Sequence, residues 1–296
     1  MFPYKYVLIL WMMLLSAVVH AQFSNDLIQG EKKLKIWFDS LFLKNDVVYM
    51  QTDEKKCAYS DSISTTFMQM LKEKDAFNYP FDSLTKISKL TSTDSLVRIF
   101  TWNIRLKGGI YRYYGLLLYR RNIAQTTASV FKLKDVSDSI PDSTAETSTL
   151  INSNWYGALY YQLYNYVNKG KNYYLLIGWK GYSNYVTKKV IDILYFNRLE
   201  KPVFGKTVFK SEQATVKRKI FNFSLKATMV CKYDSSHHAV IFDHLVPISK
   251  NYKGMHEFYG PNGTFDGYFY SNGSWYFRED IEPKNPPIKS NIPSKK

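Results

Sequence analysis

The densest polar chemistry in this chain lies in the run SSHHAVIFDHLVP, which holds His237, His238, His244 and Asp243. An imidazole beside a carboxylate can move protons near neutral pH. Asp266 follows in GPNGTFDG. Asp243, His244 and Asp266 are therefore the catalytic candidates if the protein is a hydrolase. On a regular strand His238 and His244 point one way and Asp243 the other, and the two histidines stand roughly 20 Å apart. They cannot share one metal ion. A zinc site would need His244, His256 and a carboxylate such as Asp243 or Glu257 to converge. The simpler expectation is that Asp243 and His244 make local hydrogen bonds at a strand end. GPNGTFDG offers Asn262, Thr264 and Asp266 as oxygen donors, but no acid follows before Glu279, so the calcium-loop pattern is absent. GYSNY and NGSWY fail the nucleophile-elbow pattern, and there is no P-loop or dinucleotide fingerprint. No metal and no cofactor are expected. A glycosidase needs two converging carboxylates; Asp192, Asp243, Glu257 and Asp266 are available for that.

The second candidate surface is FYGPNGTFDGYFYSNGSWYF, residues 258–277, in which nine of twenty residues are aromatic. Tyr268 and Tyr270 share one strand face, and Trp275 and Phe277 share one face of the next. Such rings either pack a core or, if exposed, stack on sugars. They are the binding candidates. Asn262-Gly263, Asp266-Gly267 and Asn272-Gly273 all read as tight-turn dipeptides.

The elements that must position these residues change type along the chain. In SNDLIQGEKKLKIWFDSLF, Leu34, Phe38 and Leu41 recur at helical spacing, and Ser24 or Asn25 can cap the helix. SISTTFMQMLKEKDAF places Phe67, Met70, Leu71 and Lys74 on a second helical face, and Pro80 ends that region. From Leu96 the pattern alternates and is rich in β-branched and aromatic residues, with Gly108-Gly109 at a hairpin. Residues 132–153 form a long polar connection; one of this length in a compact domain is functional or disordered. Strands then return with turn signals about every ten residues. The fold class is mainly β, an antiparallel meander in a sandwich, barrel or propeller-like sheet, with short N-terminal helices, α+β overall. The expected organisation is a helical region over 22–92, a β-rich domain over 93–278, and a disordered Pro- and Lys-rich tail over 279–296.

MFPYKYVLILWMMLLSAVVHAQ has one early charge, Lys5, a short apolar run and a Val19-His20-Ala21 cleavage signature, so 1–21 reads as a signal peptide. No later apolar run has membrane length, so no transmembrane segment remains after cleavage. The formal charge is +15, with basic clusters at Arg120-Arg121, Lys188-Lys189 and Lys217-Arg218-Lys219. That charge suits an anionic envelope polymer. RKIFNFSLK lacks the glycines of an RNA-binding signature, so no specific nucleic-acid recognition is expected. In an oxidising compartment Cys57 and Cys231 could form one disulfide. Asp-Ser-aliphatic triplets begin at Asp39, Asp61, Asp82, Asp94 and Asp138. They resemble the O-glycosylation signal of exported proteins in Bacteroidota, although Asp-Ser also starts helices and turns.

The blocks VRIFTWNI, YYLLIGWKGYSNYVTKKVIDIL, KPVFGKTVF and IFDHLVP followed by YGPNGTFDGY resemble uncharacterised exported proteins of Bacteroidota over roughly residues 94–278. The resemblance implies export and carries no active site. The sequence therefore points to a non-catalytic, β-rich protein of the periplasm or cell surface that binds a glycan, an envelope polymer or a protein partner. The alternative is a hydrolase acting on such a polymer.

Overall fold

The computed structural model describes residues 23–43 and 52–282. The expected signal peptide at 1–21 and residues 283–296 of the expected tail lie outside the described residues.

Two helices open the described chain: α1 (Asn25–Leu41) and α2 (Asp53–Met70). The Ser24 hydroxyl accepts from the Leu27 amide and caps α1, and Thr52 caps α2 in the same way through Lys55. Leu27, Leu34 and Phe38 of α1, with Ile63 and Phe67 of α2, form the buried stripe that helical spacing predicts.

Three open sheets follow. The first runs β1 (Ser88–Thr91), β2 (Val97–Arg105), β3 (Tyr111–Tyr119), β4 (Ser129–Lys134) in chain order, all antiparallel. The second has the order β5 (Leu150–Ile151), β9 (Pro202–Phe204), β8 (Val186–Phe196), β7 (Lys171–Gly181), β6 (Leu159–Asn168), and β12 (Lys219–Ser224) also pairs with β8. The third has the order β11 (Thr215–Val216), β10 (Phe209–Lys210), β16 (Ser274–Ile281), β15 (Tyr259–Ser271), β14 (Ala239–Pro247), β13 (Cys231–Asp234). Its one parallel pairing is β10 with β16.

Period-two alternation stacks these layers. On β2, Phe100, Trp102 and Ile104 pack under the helices, while Val97 and Ile99 face the second sheet. On β7, Tyr174 and Leu176 face the first sheet, and Leu175 and Ile177 face the third. The result is four layers, helices and three sheets, with an apolar interior between each pair. Of the expected arrangements this is the sandwich, extended by one sheet. The N-terminal helices are one of its layers, and β1 already belongs to the first sheet.

Several local expectations change. Asn272 and Gly273 do turn the chain, with φ of 48° and 81°, between β15 and β16. Asn262-Gly263 and Asp266-Gly267 instead lie inside β15. They are irregularities in its pairing, where the register shifts against β14 and β16. The disulfide is not formed: both cysteines are free. Cys57 sits on α2 in the outer layer, whereas Cys231 is buried between the second and third sheets. Among the described residues no helix is long and apolar enough to cross a membrane.

Candidate functional site: a polar cleft under residues 132–153

The expected catalytic residues do meet. Asp266 pairs opposite Phe242 across β14 and β15, which makes it the diagonal same-face neighbour of His244. Asp266 Oδ2 lies 2.7 Å from His244 Nδ1. Asp243, by contrast, accepts from the Val230 amide at 2.7 Å. All three residues, with Ser211, line one cavity of about 250 Å³. His256 and Glu257 do not join them; they line a different and larger cavity. Among the described residues no group of three or more His, Cys, Asp or Glu side chains could hold a metal ion.

The aromatic binding candidates do not form a sugar platform. Tyr268 and Trp275 are buried, and Tyr270 and Phe277 pack against the same core. Cross-strand pairing explains this: Tyr268 sits opposite Phe277 and Tyr270 opposite Trp275, so all four face the second sheet. The basic clusters are also engaged. Arg218 is fully buried against Asp192, with Nε 2.6 Å from Oδ2. Lys188 binds Asp142, Lys219 binds Glu146, and Arg121 binds Glu200. Arg120 is bound to the Ser95 carbonyl at 2.7 Å, and Lys217 to Thr149 at 2.8 Å.

The larger site is built by the polar connection at 132–153. It is ordered, and carries a short helix, α3 (Asp142–Thr147). Basic residues of 217–219 staple it down. The Lys217 amide donates to the Glu146 carbonyl, Lys219 Nζ and the Ile220 amide to the Glu146 carboxylate, and Arg218 Nη1 to the Ala145 carbonyl. Beneath this connection run two cavities of about 810 and 1050 Å³. Both are lined by Asp138 and Ser139, so they adjoin at these two residues, and together they are called the cleft. The smaller part extends along β3 and β4 to Asp61 of α2. The larger part opens among the β2–β3 turn, the β7–β8 turn and the segment before β15.

Three carboxylates organise the floor. Asp135 accepts from the amides of Tyr113, Ser137 and Gly157 at 3.0, 3.0 and 3.1 Å, and from the Ser137 hydroxyl at 2.6 Å. Position 157 must lack a side chain, because a Cβ there would stand 2.5 Å from the Asp135 carboxylate. Asp142 accepts from Lys188 at 2.8 Å, from the Tyr156 hydroxyl at 2.7 Å and from Asn222 at 2.9 Å. Burial pushes the Asp142 carboxyl up, but bonds from Lys188 and Tyr156 outweigh it and hold the group below the usual carboxylate range. Asp138, the third, is exposed in the cleft. At the rim the Tyr182 ring is 50% exposed, with Lys188 Nζ 3.6 Å from its centroid.

Behind this floor lies Lys180 of β7, whose Nζ is 2.6 Å from Ser137 Oγ. Burial drives its ammonium down to about 8, against the opposing pull of Asp135 and Asp138. Neither Ser137 nor Lys180 stood out among the sequence candidates. The signal that could have found them was the long polar stretch itself, in a chain otherwise dense in rings.

No family model, curated protein or solved structure matches the chain.

Proposed function

We propose that the protein is exported to the periplasm or cell surface and binds a glycan in the cleft beneath residues 132–153. The observation that carries this reading is the pair of adjoining cavities, which share Asp138 and Ser139 and are lined by polar side chains interleaved with apolar ones. Two adjoining cavities of this size suit a run of linked sugar units better than a single small molecule. Carboxylates, carboxamides and cations such as Asp138, Asn152, Asn222 and Lys132 offer hydrogen bonds to ring hydroxyls. The exposed Tyr182 ring supplies the stacking face that the buried 268–277 rings cannot.

A glycan array read with the wild-type protein and with Tyr182→Ala tests this. Array signals that fall at least tenfold in the variant are expected. An array without signals, or signals indifferent to Tyr182, would overturn the reading. Retention on heparin would point to the polyanion instead.

The hydrolase alternative is favoured by one observation: Asp243, His244 and Asp266 share a cavity, with His244 oriented by Asp266. Polymer hydrolysis abolished by His244→Ala would establish it.

A further inference from the structure

A buried ammonium is costly unless it is paired and hydrogen-bonded, and a buried lysine tends to lose its proton. Lys180 is only 3% exposed, and its surroundings are well defined. Its Nζ is 3.1 Å from the Gly157 carbonyl and 2.6 Å from Ser137 Oγ. The faces of Tyr113 and Tyr156 complete the enclosure, with centroids at 4.2 and 5.1 Å. Ser137 is itself 8% exposed, yet it lines the wider part of the cleft. Its hydroxyl lies between the amine and the Asp135 carboxylate, on a residue that borders the cleft. Asp135 accepts from the Ser137 amide and hydroxyl, and is itself held by the Tyr113 and Gly157 amides. Lys180 donates to the same hydroxyl, so the amine acts as a base only after it loses a proton and the hydroxyl hydrogen turns from Asp135 to Nζ. This is the arrangement of an activated nucleophile: hydroxyl, adjacent base, and a third group that orients them.

We propose that Ser137 is a nucleophile, with Lys180 as its general base, and that the pair hydrolyses small O-acyl esters carried on the glycan in the cleft. Ser137 Oγ adds to the ester carbonyl carbon while neutral Lys180 takes its proton. The tetrahedral intermediate collapses, the carbon–oxygen bond to the sugar breaks, and the leaving alkoxide takes the proton from Lys180. Water then adds to the acyl-serine and gives a proton to Lys180. Ser137 leaves the carbon, recovers that proton, and a free carboxylic acid departs. The sum is ester plus water giving alcohol plus acid. Limited exposure of Ser137 selects a small acyl group, since a polymer backbone cannot descend to it. The lowered proton affinity of Lys180 leaves about a tenth of it neutral at pH 7. Asp135 acts as a positioning residue. This assignment rests on the cleft reading for its substrate, though not for the reactivity of the serine.

The test treats the full folded chain with a fluorophosphonate probe and maps the adduct by mass spectrometry. A single adduct at Ser137 is expected, forming faster as pH rises towards 8. Release of acetate from O-acetylated glycan should fall on the order of 100-fold or more in Ser137→Ala and in Lys180→Met. Circular dichroism checks that each variant is folded; if Lys180→Met is not, Ser137→Ala and the pH profile of labelling decide. No adduct at Ser137 in the folded protein, or unchanged acetate release by Ser137→Ala, would overturn the assignment. Glycan binding retained by unlabelled protein would remove this inference alone, whereas labelling of Ser137 without glycan binding would remove only the cleft reading of substrate.

Discussion

Replacing Lys180 by methionine gives a direct measure of how far the fold has displaced this amine from water. In the native protein its proton affinity falls from 10.5 to about 8, which corresponds to roughly 3 kcal/mol. Below pH 8 the lysine is charged in both states, and the folded protein carries the full cost of burying the ammonium. Between about pH 8 and 10.5 the native group is neutral while the unfolded one still binds a proton, so stability rises with pH. The thioether of the Lys180→Met variant cannot titrate. The difference in unfolding free energy, wild type minus Lys180→Met, should therefore grow in favour of wild type by roughly 2–3 kcal/mol from pH 7 to 10. Urea unfolding at pH 7, 8, 9 and 10, followed by tryptophan fluorescence, reads this difference; titrating groups that do not interact with Lys180 cancel. Parallel stability profiles for the two proteins would refute the burial argument and remove the basis for Lys180 as a base.

Further outcomes follow from neighbouring groups. Asp142, held below the usual carboxylate range, stabilises the fold above the unfolded carboxyl value and loses that contribution as pH falls through its lower folded value. Acid unfolding of Asp142→Asn should accordingly be shallower than that of wild type. Arg218→Met leaves Asp192 buried without its partner, and should cost about 3–5 kcal/mol in urea unfolding; a change below about 1 kcal/mol would contradict the burial. Burial pushes the Cys231 thiol up to about 12, whereas Cys57 lies partly exposed on α2. Thiol titration of the native protein should count one reactive group, rising to two on unfolding, with no change on adding reductant beforehand.

Much of the architecture was legible locally. The stripe of Leu34 and Phe38, the alternation in VRIFTWNI, the short apolar run YYLLIGWKG, and the Gly108-Gly109 and Asn272-Gly273 turns each carry their own local signature. The stacking of three sheets is not local, and nothing in one strand says which sheet will cover it. Asn262-Gly263 and Asp266-Gly267 misled for a physical reason. A pairing irregularity accepts much the same residues as a tight turn, Gly263 having a φ of 94° inside β15. Asp266 and His244 could be named as chemically able, but their contact depends on the β14–β15 register. The Ser137–Lys180 contact joins residues 43 positions apart. In sequence Lys180 reads as the charged residue that closes an apolar strand. For the aromatic run at 258–277 the sequence leaves both a packed core and a sugar-binding face open, because composition cannot tell a ring that meets sugar from one that meets another sheet.

Crystals of the protein soaked with an O-acetylated oligosaccharide from the array would test the central claim most directly. The account predicts sugar density along the trough from Asp138 to Tyr182, with an acyl group turned towards Ser137. Density confined to the cavity beside His244, or lying on the outer face of the third sheet, would contradict it.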